Sequence, residues 1–220
     1  MAADTDPVRL RRTAAGRAMT RGEVARWCAL AAAALTFVVT VAGGAATPGY
    51  SHKAHYISEL GQRGTTIGGL VSYGGFLVIG VAALAALVLG LGARTIEPSL
   101  RSSARWLLTL PVAYITAAFA RCTAGCAGLD MAQMLHNLFG LAEYLGGTVA
   151  LIVGGVASLA AQRHARGVLL LVLSLVILAC VSDMFSPVSG WHGASQRIAE
   201  TILFGYLIFL VRPTEALAKA

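Results

Sequence analysis

Long apolar runs separated by short polar connections dominate the chain, and the runs have the length of helices rather than strands. A membrane-crossing helix needs roughly 20 apolar residues. On that measure the runs fall at residues 25–46, 66–93, 106–120, 131–161, 167–185 and 194–211. The third is short and contains Pro111, which is expected to break it. The expected fold class is all-α, an integral membrane bundle of six transmembrane helices. No polar stretch is long enough for a second domain, so residues 25–212 read as one transmembrane unit. Residues 1–24, rich in Asp, Arg, Thr and Ala, read as a disordered basic tail, and 213–220 as a second short tail. The charged lead-in is too long for a cleavable signal, and the apolar run behind it exceeds a signal core. "VAGGAAT" at 41–47 nevertheless offers a small-residue cleavage site.

Composition agrees with the pattern. The 220 residues are 57% hydrophobic and only 12% charged, where a soluble domain carries about a quarter, and the mean hydropathy is +0.73. A formal net charge of +7 invites a nucleic-acid partner, but the placement of the charges excludes it. Six arginines lie in the first 26 residues, and most others sit in short connections. With the N-terminus inside, Arg9, Arg11, Arg12, Arg17, Arg21, Arg26, Arg94, Arg101, Arg105, Arg163, Arg166, Arg212 and Lys219 face the cytoplasm. Only Lys53, Arg63, Arg121 and Arg197 fall on the other side. Thirteen against four is the asymmetry of the positive-inside rule, and it predicts N-in/C-in topology in a multi-pass protein of a prokaryotic plasma membrane. Glycine-rich stretches such as "IGGLVSYGGF" (67–76) signal close helix packing.

This topology sorts the polar residues onto one side. "PGYSHKAHYISELG" (48–61) is a polar island between two apolar runs, and "RCTAGCAGLDMAQMLHN" (121–137) and "SDMFSPVSGWHG" (182–193) form the other two external connections. On the fourth helix His136, Gly140, Glu143 and Gly147 share a face at 4-3-4 spacing. On the sixth, His192, Gln196 and Glu200 step by four, with Arg197 one position away. Ionisable groups inside membrane helices face the bundle interior and mark functional sites. The expected site therefore has Glu59, His136, Asp183, Ser58, Glu143 and His192 as catalytic groups. Tyr50, Trp191, Gln196, Arg197 and Glu200 are its expected substrate-binding groups. The bland alternative has Glu143 and Glu200 bonding neighbouring helices, Arg197 pairing with Glu200, and Asp130 capping a helix.

Cys122 and Cys126 are expected to form a disulfide outside the cytoplasm. A metal held by both cysteines and His136 is the alternative, although the spacing matches no standard zinc pattern. His52, His136 and His192 with Asp183 are a second set able to hold a divalent metal. Cys28 and Cys180 lie in apolar runs and read as small buried hydrophobes. No nucleotide, haem or flavin motif occurs, and no cofactor is expected.

Pro48–Gly49–Tyr50, the "ISELG" of 57–61, the Cys122/Cys126 pair and His136 together resemble the domain-of-unknown-function family numbered 998, six-helix membrane proteins of prokaryotes. The resemblance covers roughly residues 27–211. It implies the fold and topology but no activity.

Function therefore rests on the polar residues. Histidines and carboxyls in one pocket offer acid–base chemistry. A carboxylic acid kept neutral by an apolar site can protonate an alkene or epoxide, as small membrane terpene cyclases are thought to do. The expectation is a membrane-embedded enzyme, a lyase or cyclase or else a hydrolase, acting on a membrane lipid or isoprenoid at the outer side. The alternatives are a small proton-coupled carrier using Glu143, Arg197 and Glu200, and a non-catalytic membrane chaperone or sensor.

Overall fold

A computed structural model describes residues 18–212; both expected tails beyond those limits lie outside the described residues. Among the described residues every regular element is helical and none is a strand. Helix α1 spans Arg21–Ala46, four residues earlier than the apolar run alone suggests. The cause is a capping box: Thr20 Oγ1 accepts from the Glu23 amide at 3.2 Å, and Glu23 Oε2 accepts from the Thr20 amide at 2.7 Å. One face of α1 is a stripe of Ala25, Ala29, Ala32, Thr36, Thr40 and Gly43. Such small side chains let α2 approach closely.

Helix α2 spans Gly68–Gly92. It widens into a π-helical segment at Val71–Phe76, where Ser72 Oγ donates to the Gly61 carbonyl at 3.0 Å. The third apolar run is two helices, α3 at Arg101–Trp106 and α4 at Thr109–Phe119. The interruption is at Leu107–Leu108 and not at Pro111. Pro111 sits in the first turn of α4, where an N–H has no intrahelical partner and its loss costs nothing. Helix α5 spans Met131–Ala160, α6 His164–Met184 and α7 His192–Leu210. Asp130 caps α5, its Oδ1 accepting from the Gln133 amide at 2.9 Å.

Helices α1, α2, α4, α5, α6 and α7 each pack on the next, and α7 returns to α1, closing a ring. Its core holds Ile79, Leu87, Leu110, Leu151, Ile177, Leu203 and Leu207. Among the described residues four helices, α1, α2, α5 and α6, are long and apolar enough to cross a membrane.

The two ends of the bundle differ. At the basic end Glu97 accepts from Arg163 at 3.0 Å and Arg166 at 2.7 Å. At the other end the connections before α2, α5 and α7 form a cap.

Candidate functional site

The cap is held by bonds to helices α6 and α7 and to Arg121 in the loop after α4. Tyr56 Oη donates to the Met184 carbonyl at 2.6 Å, and Arg121 donates to the Gly61 and Gln62 carbonyls at 2.9 Å each. Arg197 donates to the carbonyls of His55 at 3.1 Å and Gly193 at 2.6 Å, and also bonds Tyr50 Oη and His52 Nδ1. The Ala194 amide donates to the Lys53 carbonyl at 3.0 Å. Gly193 has no room for a side chain, because a Cβ there would collide with the His55 carbonyl oxygen. Burial pushes the hydroxyls of Tyr50 and Tyr56 above their ordinary range, so both remain protonated donors.

Below the cap lies a cavity of about 270 Å³. Ser58 lines it from the cap, and Phe76, Tyr114, His136, Gly140, Glu143, Tyr144, Gln196 and Glu200 line its wall. Asn137 and Phe185 are the exposed residues of the lining. Glu143 is only 5% exposed and Glu200 4%.

A hydrogen-bonded chain runs from the cap to one carboxyl. The Ile57 amide donates to Gln196 Oε1 at 2.6 Å, and Gln196 Nε2 donates to Tyr144 Oη at 3.0 Å. Tyr144 Oη in turn donates to Glu200 Oε1 at 2.9 Å. Because the Ile57 amide can only donate, the orientation of the Gln196 amide is fixed, and with it the direction of the chain. Glu143 and Glu200 interact directly, yet Glu143 Oε1 and Glu200 Oε2 are buried with no hydrogen-bond partner. Tyr114 stands between Phe76 and Phe204 with ring centroids at 6.0 Å and 5.6 Å, giving the cavity an aromatic wall.

Of the expected catalytic and substrate-binding residues, Ser58, His136, Glu143, Gln196 and Glu200 come together on this cavity, with Gly140 and Cys126 beside them. The remaining expected catalytic and binding residues stand elsewhere. Glu59 Oε1 accepts from the Tyr56 amide at 2.8 Å, which caps the short 3-10 turn Ile57–Gly61. Asp183 accepts from Ser189 Oγ at 2.5 Å and Ser195 Oγ at 2.7 Å, and so ties the end of α6 to the start of α7. His192 donates from Nε2 to the Ser186 carbonyl at 2.8 Å and stacks on Tyr56. Tyr50 and Arg197 belong to the cap. Trp191 is exposed, with Lys53 Nζ 4.0 Å from its ring centre. Arg197 bonds the cap, while Glu200 bonds Tyr144.

Cys122 and Cys126 are bonded, with Cα atoms 4.9 Å apart. His136 Nδ1 lies 2.9 Å from the Ala120 carbonyl, which can only accept, so Nδ1 carries the proton and Nε2 keeps its lone pair.

Sequence reasoning passed over Tyr114 and Tyr144. A tyrosine in the middle of a membrane run, away from the interface where such rings collect, was the available signal.

Neither a curated protein nor a solved structure matches the chain. A family model matches residues 30–212, which include the cap, the cysteine loop and both buried glutamates. The chain belongs to the family described as "Protein of unknown function (DUF998)".

Proposed function

We propose that the chain is a membrane-embedded enzyme that isomerises or cyclises a lipid or isoprenoid by proton transfer between Glu143 and Glu200. The observation that carries this reading is the pair itself: two buried carboxyls, each with an unpartnered oxygen, on one largely apolar cavity. Like charges so close in an apolar wall cannot both be ionised, so the pair holds at least one proton. That proton passes to an alkene carbon or an epoxide oxygen of the substrate. The carbocation that forms is quenched when a neighbouring C–H loses its proton to the second carboxylate. Atoms and charge balance with no co-reactant, and the pair ends with the proton it began with. Phe76, Tyr114 and Tyr144 offer π faces to the cation, and Tyr144 holds Glu200 in place.

The same proposal takes α3 and α4 together as one crossing. The chain then crosses a prokaryotic plasma membrane six times, with both termini and the basic end in the cytoplasm and the cap outside. The cavity meets the outer half of the bilayer.

The test uses full-length protein in nanodiscs loaded with lipid extracted from the host membrane, incubated in D₂O. Wild type is expected to place deuterium on carbon in one lipid class, detected by mass spectrometry. Glu200→Gln and Glu143→Gln should retain bound lipid and incorporate none. Equal incorporation by all three overturns the reading. Lipid retained by wild type without any exchange also overturns it and favours a carrier.

A further inference from the structure

The cysteine loop carries more order than a staple needs. The Arg63 amide donates to the Cys122 carbonyl at 2.9 Å, and the Gly125 amide to Gln62 Oε1 at 3.2 Å. The Thr123 amide donates at 2.8 Å to the side chain of Gln133, which is fully buried on α5. Gly125 and Cys126 take left-handed φ values of 63° and 51°, and this curl brings Cys126 back beside Cys122. Cys126 is not a glycine, so the position is held by its surroundings. The second turn of α5 brings His136 to the same place. One ligand atom from each of Cys122, Cys126 and His136 lies within 4.8 Å of the others.

We propose that Cys122 and Cys126 in their thiol form, together with His136, make a three-ligand site for zinc. Its fourth position faces the cavity. The disulfide is the oxidised form of the same arrangement, so the site belongs to the chain before its cysteines are bonded. Tetrahedral zinc places such ligand atoms about 3.5–3.8 Å apart, so the histidine has only to close in while the sulfurs part. The Ala120 carbonyl that holds His136 Nδ1–H acts as the outer partner that orients a ligating imidazole and leaves Nε2 free for the metal. Binding breaks only the two S–H bonds and forms two Zn–S bonds: zinc displaces one proton from each thiol to solvent. Ser58, Cys126 and His136 all line the cavity, so the open position can take water or an oxygen of the bound ligand. Zinc binding does not depend on the glutamate chemistry proposed above.

The test uses the full chain with Cys28→Ser and Cys180→Ser, which removes the two cysteines outside the loop. The protein is purified under a phosphine reductant in the presence of zinc and then freed of excess metal. The reduced protein is expected to retain about one zinc per chain. Co²⁺ in its place should give thiolate charge-transfer and tetrahedral d–d bands, and zinc should protect Cys122 and Cys126 from alkylation. Protein oxidised to the disulfide should retain none. His136→Asn keeps a donor for the Ala120 carbonyl while removing the ligand, and should weaken retention more than tenfold, on the order of a lost coordination contact. Unprotected thiols together with no retained zinc overturn the site, as does a His136→Asn protein that binds as wild type does.

Discussion

Tyr144 and Glu200 meet across the interface of α5 and α7, with the tyrosine hydroxyl 2.9 Å from a carboxyl oxygen and both side chains buried. Gln196 donates to the same hydroxyl from one turn before Glu200. Two side chains, one on each helix, therefore fix one carboxyl in an apolar wall.

Removing the hydroxyl breaks that arrangement without changing the shape of the ring. Tyr144→Phe should destabilise the protein by about 1–3 kcal/mol, because a Glu200 oxygen and the Gln196 amide are left buried without partners. Thermal unfolding in detergent measures it. A change below experimental error would show that water replaces the hydroxyl.

The basic end supplies a pH dependence. Hydrogen bonds from Arg166 hold the Glu97 carboxyl at about 2, well below the usual glutamate range, with Ser99 and Arg163 assisting. A lowered folded-state value means that the stabilisation is complete above the unfolded value of 4.5 and is lost as pH falls toward about 2. Unfolding temperature should therefore decline across that window. Glu97→Gln should lower stability at neutral pH and flatten the decline. An unchanged slope in the variant would assign the acid sensitivity to other groups.

Arg197 should govern the cap. Arg197→Ala strands the His55 and Gly193 carbonyls and frees Tyr50, a loss of about 2 kcal/mol. Lysine should recover only part of it, since a single ammonium cannot span partners on both sides of a planar guanidinium. Hydrogen exchange over residues 48–62 reports the loosening. Protection equal to wild type would mean that Arg121 and Tyr56 suffice.

Topology has a direct check in a background lacking the native cysteines. With the cap outside, a cysteine at exposed Thr66 should react with an impermeant maleimide on intact cells, and one at exposed Ser102 should react only after lysis. The reverse pattern would turn the bundle over and move the cavity to the cytoplasmic half.

By itself, the sequence determined that the elements are helices and which helix faces carry the buried polar side chains. Apolar runs near 20 residues admit no other element in a bilayer, where every backbone group must be satisfied within its own segment. The 3.6-residue period placed His136, Gly140 and Glu143 on one side of α5, and Gln196 and Glu200 on one side of α7; all five line the cavity. Tertiary structure decided which polar groups reach the cavity and which are used up locally. Glu59 stands three residues after Tyr56 and finds that amide first, and Asp183 finds Ser189 in the turn that follows it and Ser195 in the first turn of α7. In each case a nearby donor satisfies the carboxylate before a distant helix can. Glu143 and Glu200 lie 57 positions apart by number, and only the packing of α5 on the ring brings them together. That packing depends on side-chain fit between helices, which no period in the sequence records.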